Sequence, residues 1–201
     1  PCLPNAGGLD TFFISKLRNK FDYSQRNKIM IKGHQSLVGR ALEIVKILPK
    51  IFKDLKDFEL IFYSVTQDVK IETELLMLKY PLKIKCIGSI SHSEILELFS
   101  KSRMYIGFSI SDGISTSMLE AMACGAIPIQ SNTACTNEWI KNDYNGYSVN
   151  IGDDDNLIKA IKNSIHNKSL FESAFNENIK IINDRCNEKK IRKQAKVFYE
   201  V

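Results

Sequence analysis

The 201-residue sequence predicts a single α/β domain, in which a Rossmann-like parallel sheet carries helices on both faces and further helices follow at the C-terminal end. Two observations predict this fold class. Short apolar segments typical of buried strands alternate with longer segments whose apolar residues recur at helical spacing. The segments follow one another without a linker or an internal repeat, so we expect residues 1–201 to form one domain.

Six strands are expected from the apolar segments 28–32, 58–63, 83–87, 104–108, 126–130 and 147–149. The clearest helix has apolar residues along one face, namely Ala41, Ile44, Val45, Leu48 and Phe52. Other helices are expected at about 69–78, after the candidate caps Ser91 and Ser93, at 118–123 before Gly125, and at 157–165. Residues from about 170 to 201 are predicted to be a Lys-rich helical extension.

The loops that follow the strands are where a ligand is expected. Parallel sheets of this class bind ligands beyond the carboxyl ends of their strands. The strand-to-helix loops of this sequence are 33–40, 88–93, 108–117 and 130–135.

The composition excludes several classes of protein. The hydrophobic fraction of 44% and the charged fraction of 25% are those of a globular domain, and no apolar run is long enough to cross a bilayer. Five cysteines without a CxxC or Cys/His cluster favour reduced thiols in a cytoplasm over disulfides or a zinc site. The net charge of +5 suits an anionic ligand or membrane surface, but the charges are too scattered to indicate nucleic acid.

The most informative segment is 109–129, which reads as a strand end, a loop of small residues and a helix start. Unpaired backbone amides and the helix dipole make such a helix start a site for phosphate. Gly113 and the run Ser115–Ser117 allow a ligand to approach the backbone closely. Asp112 and Glu120 place a carboxylate on either side, and carboxylates accept hydrogen bonds from sugar and ribose hydroxyls.

This segment resembles the donor-site signature of retaining glycosyltransferases with the GT-B fold, those of glycosyltransferase family 4, also called group 1. The signature has two acids eight positions apart, matched by Asp112 and Glu120, and then the run Ala-Met-Ala-x-Gly, which residues 121–125 match. Further segments that match in order are 3–12, 31–42, 138–140 and 145–149. The resemblance covers nearly the whole chain, but only the C-terminal half of the GT-B fold.

The resemblance implies a role for each matching residue. Asp112 would contact the transferred sugar and Glu120 the ribose, while Ile114, Ser115 and Thr116 would offer amides to the diphosphate and Gly113 would let it approach closely. In the facing loop after Gly33, Arg40 would stabilise the diphosphate leaving group, with Lys32 as a weaker candidate. Asp112 and Arg40 are therefore the predicted catalytic residues. The sequence departs from the family at Asp112, which is usually Glu, and at His34, which is usually Arg.

The function implied is that of a glycosyltransferase donor domain, which binds a nucleotide-diphospho-sugar for retaining transfer to a glycan or a lipid-linked acceptor. The resemblance implies no metal and no further cofactor. An N-terminal acceptor domain is expected outside this chain, so the chain alone should bind donor and transfer poorly. The expected setting is bacterial polysaccharide synthesis in the cytoplasm, with contact at the inner face of the membrane as an alternative.

Structural explanations compete for several of these residues. Ser117-x-x-Glu120 also fits a capping box, and Asp112-Gly113 alone is a common turn pair. Residues 153–155 resemble a metal-binding Asp-x-Asp but precede a helix, so capping is the favoured interpretation. Cys124 is expected to be buried as a small apolar side chain.

Two other functions stay open at the level of sequence. One is a GT-B-fold nucleotide-sugar epimerase, and the other is a non-catalytic nucleotide-binding or regulatory α/β domain. The segment 87–89, where the family holds the base, does not distinguish uracil, guanine or adenine.

Overall fold

A computed structural model describes residues 7–111, 113–133 and 135–199, and these ranges contain six strands and eight α-helices. The strands are β1 (Lys28–Lys32), β2 (Glu59–Tyr63), β3 (Lys83–Ile87), β4 (Ser102–Gly107), β5 (Ile127–Ser131) and β6 (Tyr147–Val149). The helices are α1 (Thr11–Arg18), α2 (Ala41–Ile51), α3 (Gln67–Lys79), α4 (His92–Ser100), α5 (Thr116–Ala123), α6 (Asp154–His166), α7 (Lys168–Arg185) and α8 (Glu188–Tyr199).

All six strands pair in parallel in the order β3-β2-β1-β4-β5-β6. The strand order reverses between β1 and β4, which is the position where sheets of this class form a ligand crevice. The predicted fold class is confirmed. The central strands β4 and β5 are buried at every residue, whereas Lys83 and Lys85 on the edge strand β3 are exposed.

Helices cover both faces of the sheet, and alternate residues of each strand pack against one layer or the other. On one face, Ile29 and Ile31 of β1 belong to a cluster that includes Ile44 of α2 and Ile161 of α6. On the opposite face, Met30 belongs to a second cluster formed with residues of α4 and α5, among them Phe99, Met118, Leu119 and Met122.

Helix α1 is the element that the sequence reading missed. Asp10 caps it by accepting a hydrogen bond from the Phe13 amide at 3.0 Å, and Ile14 is its one buried residue. Phe12 and Phe13 are exposed, so its apolar residues do not mark a single buried face.

The C-terminal region from Lys168 onward packs on the domain. Phe171 and Ala174 of α7 lie in the core on one face of the sheet, and Ile182 lies in the core on the other. Leu9 joins this region to the N-terminal segment, since its amide donates to the Cys186 carbonyl at 2.7 Å.

Two structural expectations are confirmed. Asp153 caps α6 by accepting a hydrogen bond from the Asn156 amide at 3.2 Å, so this acidic run serves the helix start. Cys124 is fully buried at the end of α5. Within the described ranges, none of the helices combines the length and apolarity needed to cross a membrane.

Candidate functional site

Two loops meet over the crevice between β1 and β4. The loop 33–40 follows β1, and the loop 108–115 follows β4. The Arg40 amide donates to the Phe108 carbonyl at 3.0 Å, and the Ile110 amide donates to the Val38 carbonyl at 2.9 Å. These backbone hydrogen bonds hold the two loops side by side at the carboxyl ends of the central strands.

A cavity of about 340 Å³ opens between these loops. Its lining residues are Lys32, His34, Ser36, Val38, Gly39, Gly107, Phe108, Ser109, Ser111 and Gln130. Lys32 supplies a cation and His34 an imidazole, while three serines supply hydroxyls. A cavity with this lining suits an anionic, hydroxyl-rich ligand.

Helix α5 starts beside this cavity. Ser115 is its N-cap and accepts a hydrogen bond from the Met118 amide at 3.4 Å. The amides of Thr116 and Ser117 occupy the first turn, where a helix offers donors without intrahelical partners. The alternative interpretation of Ser117 and Glu120 as a capping box is wrong, because the cap is Ser115, two residues earlier, and Ser117 is inside the helix.

The Glu120 carboxylate is instead paired with a histidine. Its Oε1 atom lies 2.7 Å from Nε2 of His92, the first residue of α4. Glu120 is 8% exposed. The sequence reading did not single out His92, because its partner is 28 residues away and no periodicity links the two.

Tyr63 at the end of β2 borders this acidic group. Burial raises the pKa of Tyr63 to about 12, and the nearby Glu120 carboxylate adds to the shift. The tyrosine hydroxyl is therefore protonated at neutral pH. Glu120 thus lies toward β2 and α4, whereas the cavity lies between the loops after β1 and β4.

The two glycines of the predicted site have different environments. A Cβ atom on Gly33 would lie 2.8 Å from Cγ2 of Val65 and 3.2 Å from the Tyr63 carbonyl oxygen. Gly33 is therefore required by the close approach of the β1 and β2 ends. A Cβ atom on Gly113 would meet no described atom within 4 Å, so this glycine borders open space.

Arg40 is the N-cap residue of α2, and its guanidinium is engaged by its own loop. Nη1 donates to the Ser36 carbonyl at 2.8 Å and to the Gly39 carbonyl at 3.2 Å, and Nε lies 3.9 Å from Glu43 Oε1. These contacts use Nη1 and Nε, and they hold the guanidinium against its own loop. Lys32, the weaker candidate from the sequence, lines the cavity directly.

The structure thus brings most of the predicted site residues to one edge of the sheet. Gly113, Ile114, Ser115, Thr116 and Glu120 lie on the loop and helix after β4, and Gly33 and Arg40 lie in the facing loop. Asp112, predicted to be catalytic, lies outside the described residues.

The comparison with known protein families decides the relationship. Residues 17–181 match the family model for glycosyl transferases group 1. The chain belongs to the group 1 glycosyl transferases. The match covers the cavity and every predicted site residue, and it confirms the resemblance seen in the sequence.

This group 1 chain resembles a curated enzyme of Escherichia coli, the UDP-Gal:alpha-D-GlcNAc-diphosphoundecaprenol alpha-1,3-galactosyltransferase. It is 23% identical over 186 residues, which are 89% of this chain and 45% of that enzyme. The group 1 chain spans about half the length of the curated relatives it matches.

Solved structures share the fold of the group 1 chain. Anabaena HepE, in complex with UDP and glucose, aligns over 96% of this chain and 56% of its own, with a TM-score of 0.76 and 17% identity. The C-terminal domain of a group 1 family glycosyl transferase (LpcC) from Francisella tularensis aligns over 90% of this chain and 99% of its own, with a TM-score of 0.72 and 17% identity.

Proposed function

We propose that this chain is the donor-binding domain of a glycosyltransferase and that a nucleotide-diphospho-sugar binds across the start of α5. The observation that carries the proposal is the grouping of three features at the reversal of strand order. These are the α5 amides, the cavity lined by Lys32 and His34, and the Glu120 carboxylate on the other side of the helix start. Each suits one part of such a donor.

The diphosphate belongs at the amides of the helix start, where the macrodipole favours negative charge. The sugar then enters the cavity beside Gly113, and the ribose reaches Glu120; contact of the sugar with Asp112 is carried over from the resemblance. Arg40 and Lys32 supply positive charge for the departing diphosphate. Such preorganised donors stabilise the charge that develops as the glycosidic bond breaks, which is the largest contribution in many enzymes.

Uridine diphosphate is the first nucleotide to test. HepE was solved in complex with UDP, and the E. coli relative is a UDP-Gal-dependent galactosyltransferase. We propose retaining transfer to a glycan or lipid-linked acceptor. A lipid-linked acceptor is supported by the E. coli relative, which is a GlcNAc-diphosphoundecaprenol galactosyltransferase. Acceptor binding, an N-terminal partner domain and contact with the membrane are parts of this proposal.

Isothermal titration calorimetry without metal tests donor binding. UDP, GDP, ADP and CMP are titrated into the wild-type chain and into Glu120→Ala and Arg40→Ala. One nucleoside diphosphate should bind, and each variant should bind it about 10-fold or more weakly, because a hydrogen bond to a charged group contributes about 1.5–3 kcal/mol. Circular dichroism should report the same fold for all three proteins.

Two exposed residues provide matched controls. Glu74→Ala on α3 removes an acid, and Lys46→Ala on α2 removes a cation, both away from the crevice. Neither should change the affinity by more than about twofold, since surface substitutions away from special contacts change free energies by less than about 0.5 kcal/mol. Binding of none of the four nucleotides by the folded chain would contradict the proposal and favour a non-catalytic domain.

A further inference from the structure

The contact between His92 and Glu120 joins two helices that follow different strands. His92 opens α4 after β3, and Glu120 lies in α5 after β4. The backbone at His92 is fixed by a capping box. In it, the Glu94 amide donates to Ser91 Oγ at 3.3 Å, and the Ser91 backbone amide donates to Glu94 Oε2 at 2.8 Å. The imidazole is therefore presented to Glu120 from a defined helix start.

The two partners differ in what they need from this contact. The Glu120 side chain is 10% exposed, whereas the His92 side chain is 66% exposed. A carboxylate that is largely removed from water needs a hydrogen-bond donor, and His92 supplies one. An imidazole that is two-thirds exposed has water available. The contact therefore serves Glu120 more than it serves His92.

The hydrogen bond with His92 uses only one of the two carboxylate oxygens of Glu120. His92 occupies Oε1 at 2.7 Å and so fixes the rotation of the carboxylate about its last bond. The other oxygen, Oε2, is then left for a second donor. Without the imidazole, the carboxylate would have more than one orientation and would pay more entropy to hold a ribose hydroxyl.

We propose that His92 is a positioning residue for nucleotide binding, which holds Glu120 Oε1 so that Oε2 accepts a hydrogen bond from a ribose hydroxyl. This inference rests on the proposed donor function. The alternative is that the pair only ties α4 to α5, in which case its loss would change stability without changing how the protein distinguishes ligands.

Calorimetric titration with UDP and with 2′,3′-dideoxy-UDP separates these two explanations, because the second ligand lacks the ribose hydroxyls. The wild-type chain should bind UDP about 10-fold more tightly than 2′,3′-dideoxy-UDP, because only UDP can donate a hydrogen bond from the ribose to the charged carboxylate. His92→Ala and His92→Asn, which do not reach Oε1, should lose most of this preference. His92→Gln, whose amide reaches as far as Nε2, should keep it.

The double variant His92→Ala/Glu120→Ala completes the test. If His92 acts through Glu120, the double variant should bind UDP no more weakly than Glu120→Ala alone. Thermal unfolding of each variant confirms that the protein titrated is folded. A folded His92→Ala that keeps the wild-type preference for UDP would overturn the role of His92 and leave the donor function intact. A wild-type chain that binds neither UDP nor another nucleoside diphosphate would overturn both.

Discussion

At the carboxyl ends of the central strands, charged side chains adjoin an open cavity, whereas near their amino ends two arginines are enclosed by protein. The open end carries Lys32 and His34 in the cavity lining and Glu120 beside the start of α5. The closed end carries Arg26 and Arg103, which are 0% and 5% exposed. Charged side chains therefore serve different purposes at the two ends.

The arginines of the closed end donate hydrogen bonds to backbone carbonyls. Arg26 Nη1 donates to the Cys124 carbonyl at 3.0 Å and to the Ser102 carbonyl at 3.2 Å. Arg103 donates to the Ile165 carbonyl at 3.1 Å and to the Tyr23 carbonyl at 2.8 Å. Burial lowers the pKa of Arg26 to about 10, which leaves the guanidinium charged at neutral pH.

The carbonyls at Cys124 and Ile165 lie at the ends of α5 and α6, where the helix dipole favours a cation. Aromatic rings complete the enclosure, with Tyr23 at 3.5 Å from the Arg103 guanidinium and Phe175 at 5.4 Å from that of Arg26. The arginines of the closed end thus join the amino ends of the strands to the helices packed beside them. The open end keeps its polar groups available for a ligand.

The largest effect is expected from Arg26→Met. The substitution leaves buried carbonyls without a donor, and each costs about 1–3 kcal/mol, so the free energy of unfolding should fall by about 3 kcal/mol or more. Urea denaturation measures this loss. The matched control Arg192→Met, on the exposed surface of α8, should change the free energy by less than about 0.5 kcal/mol. An equal effect of the two would refute the distinction between enclosed and exposed cations.

The next largest effect is a difference in stability between Ala variants of the two glycines at the open end. Gly33→Ala places a methyl group against Val65 and the Tyr63 carbonyl, and overpacking of this kind costs about 1–3 kcal/mol. Gly113→Ala should leave the stability within about 0.5 kcal/mol, because its methyl group enters open space. It should instead weaken nucleotide binding, because the same space is where we place the ligand. Thermal unfolding measures the stability of both variants, and calorimetry measures their affinity for the nucleotide.

The smallest effect concerns the cap of α5. Ser115→Ala removes the observed N-cap and should lower the free energy of unfolding by about 1 kcal/mol. Ser117→Ala should lower it by less than Ser115→Ala does, because Ser117 lies inside the helix, where its hydroxyl adjoins that of Tyr63 but does not cap the helix. A larger loss for Ser117→Ala than for Ser115→Ala would restore the capping box read from the sequence.

The sequence predicted the sheet well because apolar residues are concentrated in short segments of strand length. The segments 28–32 and 83–87 are strands with the predicted bounds, and the helix with Ala41, Ile44 and Leu48 begins at Ala41 as its spacing indicates. Helix α1 was missed because tertiary contacts, rather than periodicity, stabilise its eight residues.

Long-range pairing was beyond the sequence reading. The burial of Arg26 depends on carbonyls up to 98 residues away, and the Glu120 carboxylate depends on a histidine of another helix. A capping box at Ser117 was a reasonable local interpretation, but local patterns do not tell which of two nearby serines caps a helix. The motif located the site, and the tertiary contacts determined what each side chain does in it.

The most direct test of the account is to map UDP binding on the ¹⁵N-labelled chain by amide chemical shifts. We predict the largest shifts at Gly113, Ile114, Ser115 and Thr116, with smaller ones near Gly33, and none at Arg26 or Arg103. Shifts centred on the closed end of the sheet, or binding that leaves the start of α5 unchanged, would contradict the proposal that this helix start holds the donor diphosphate.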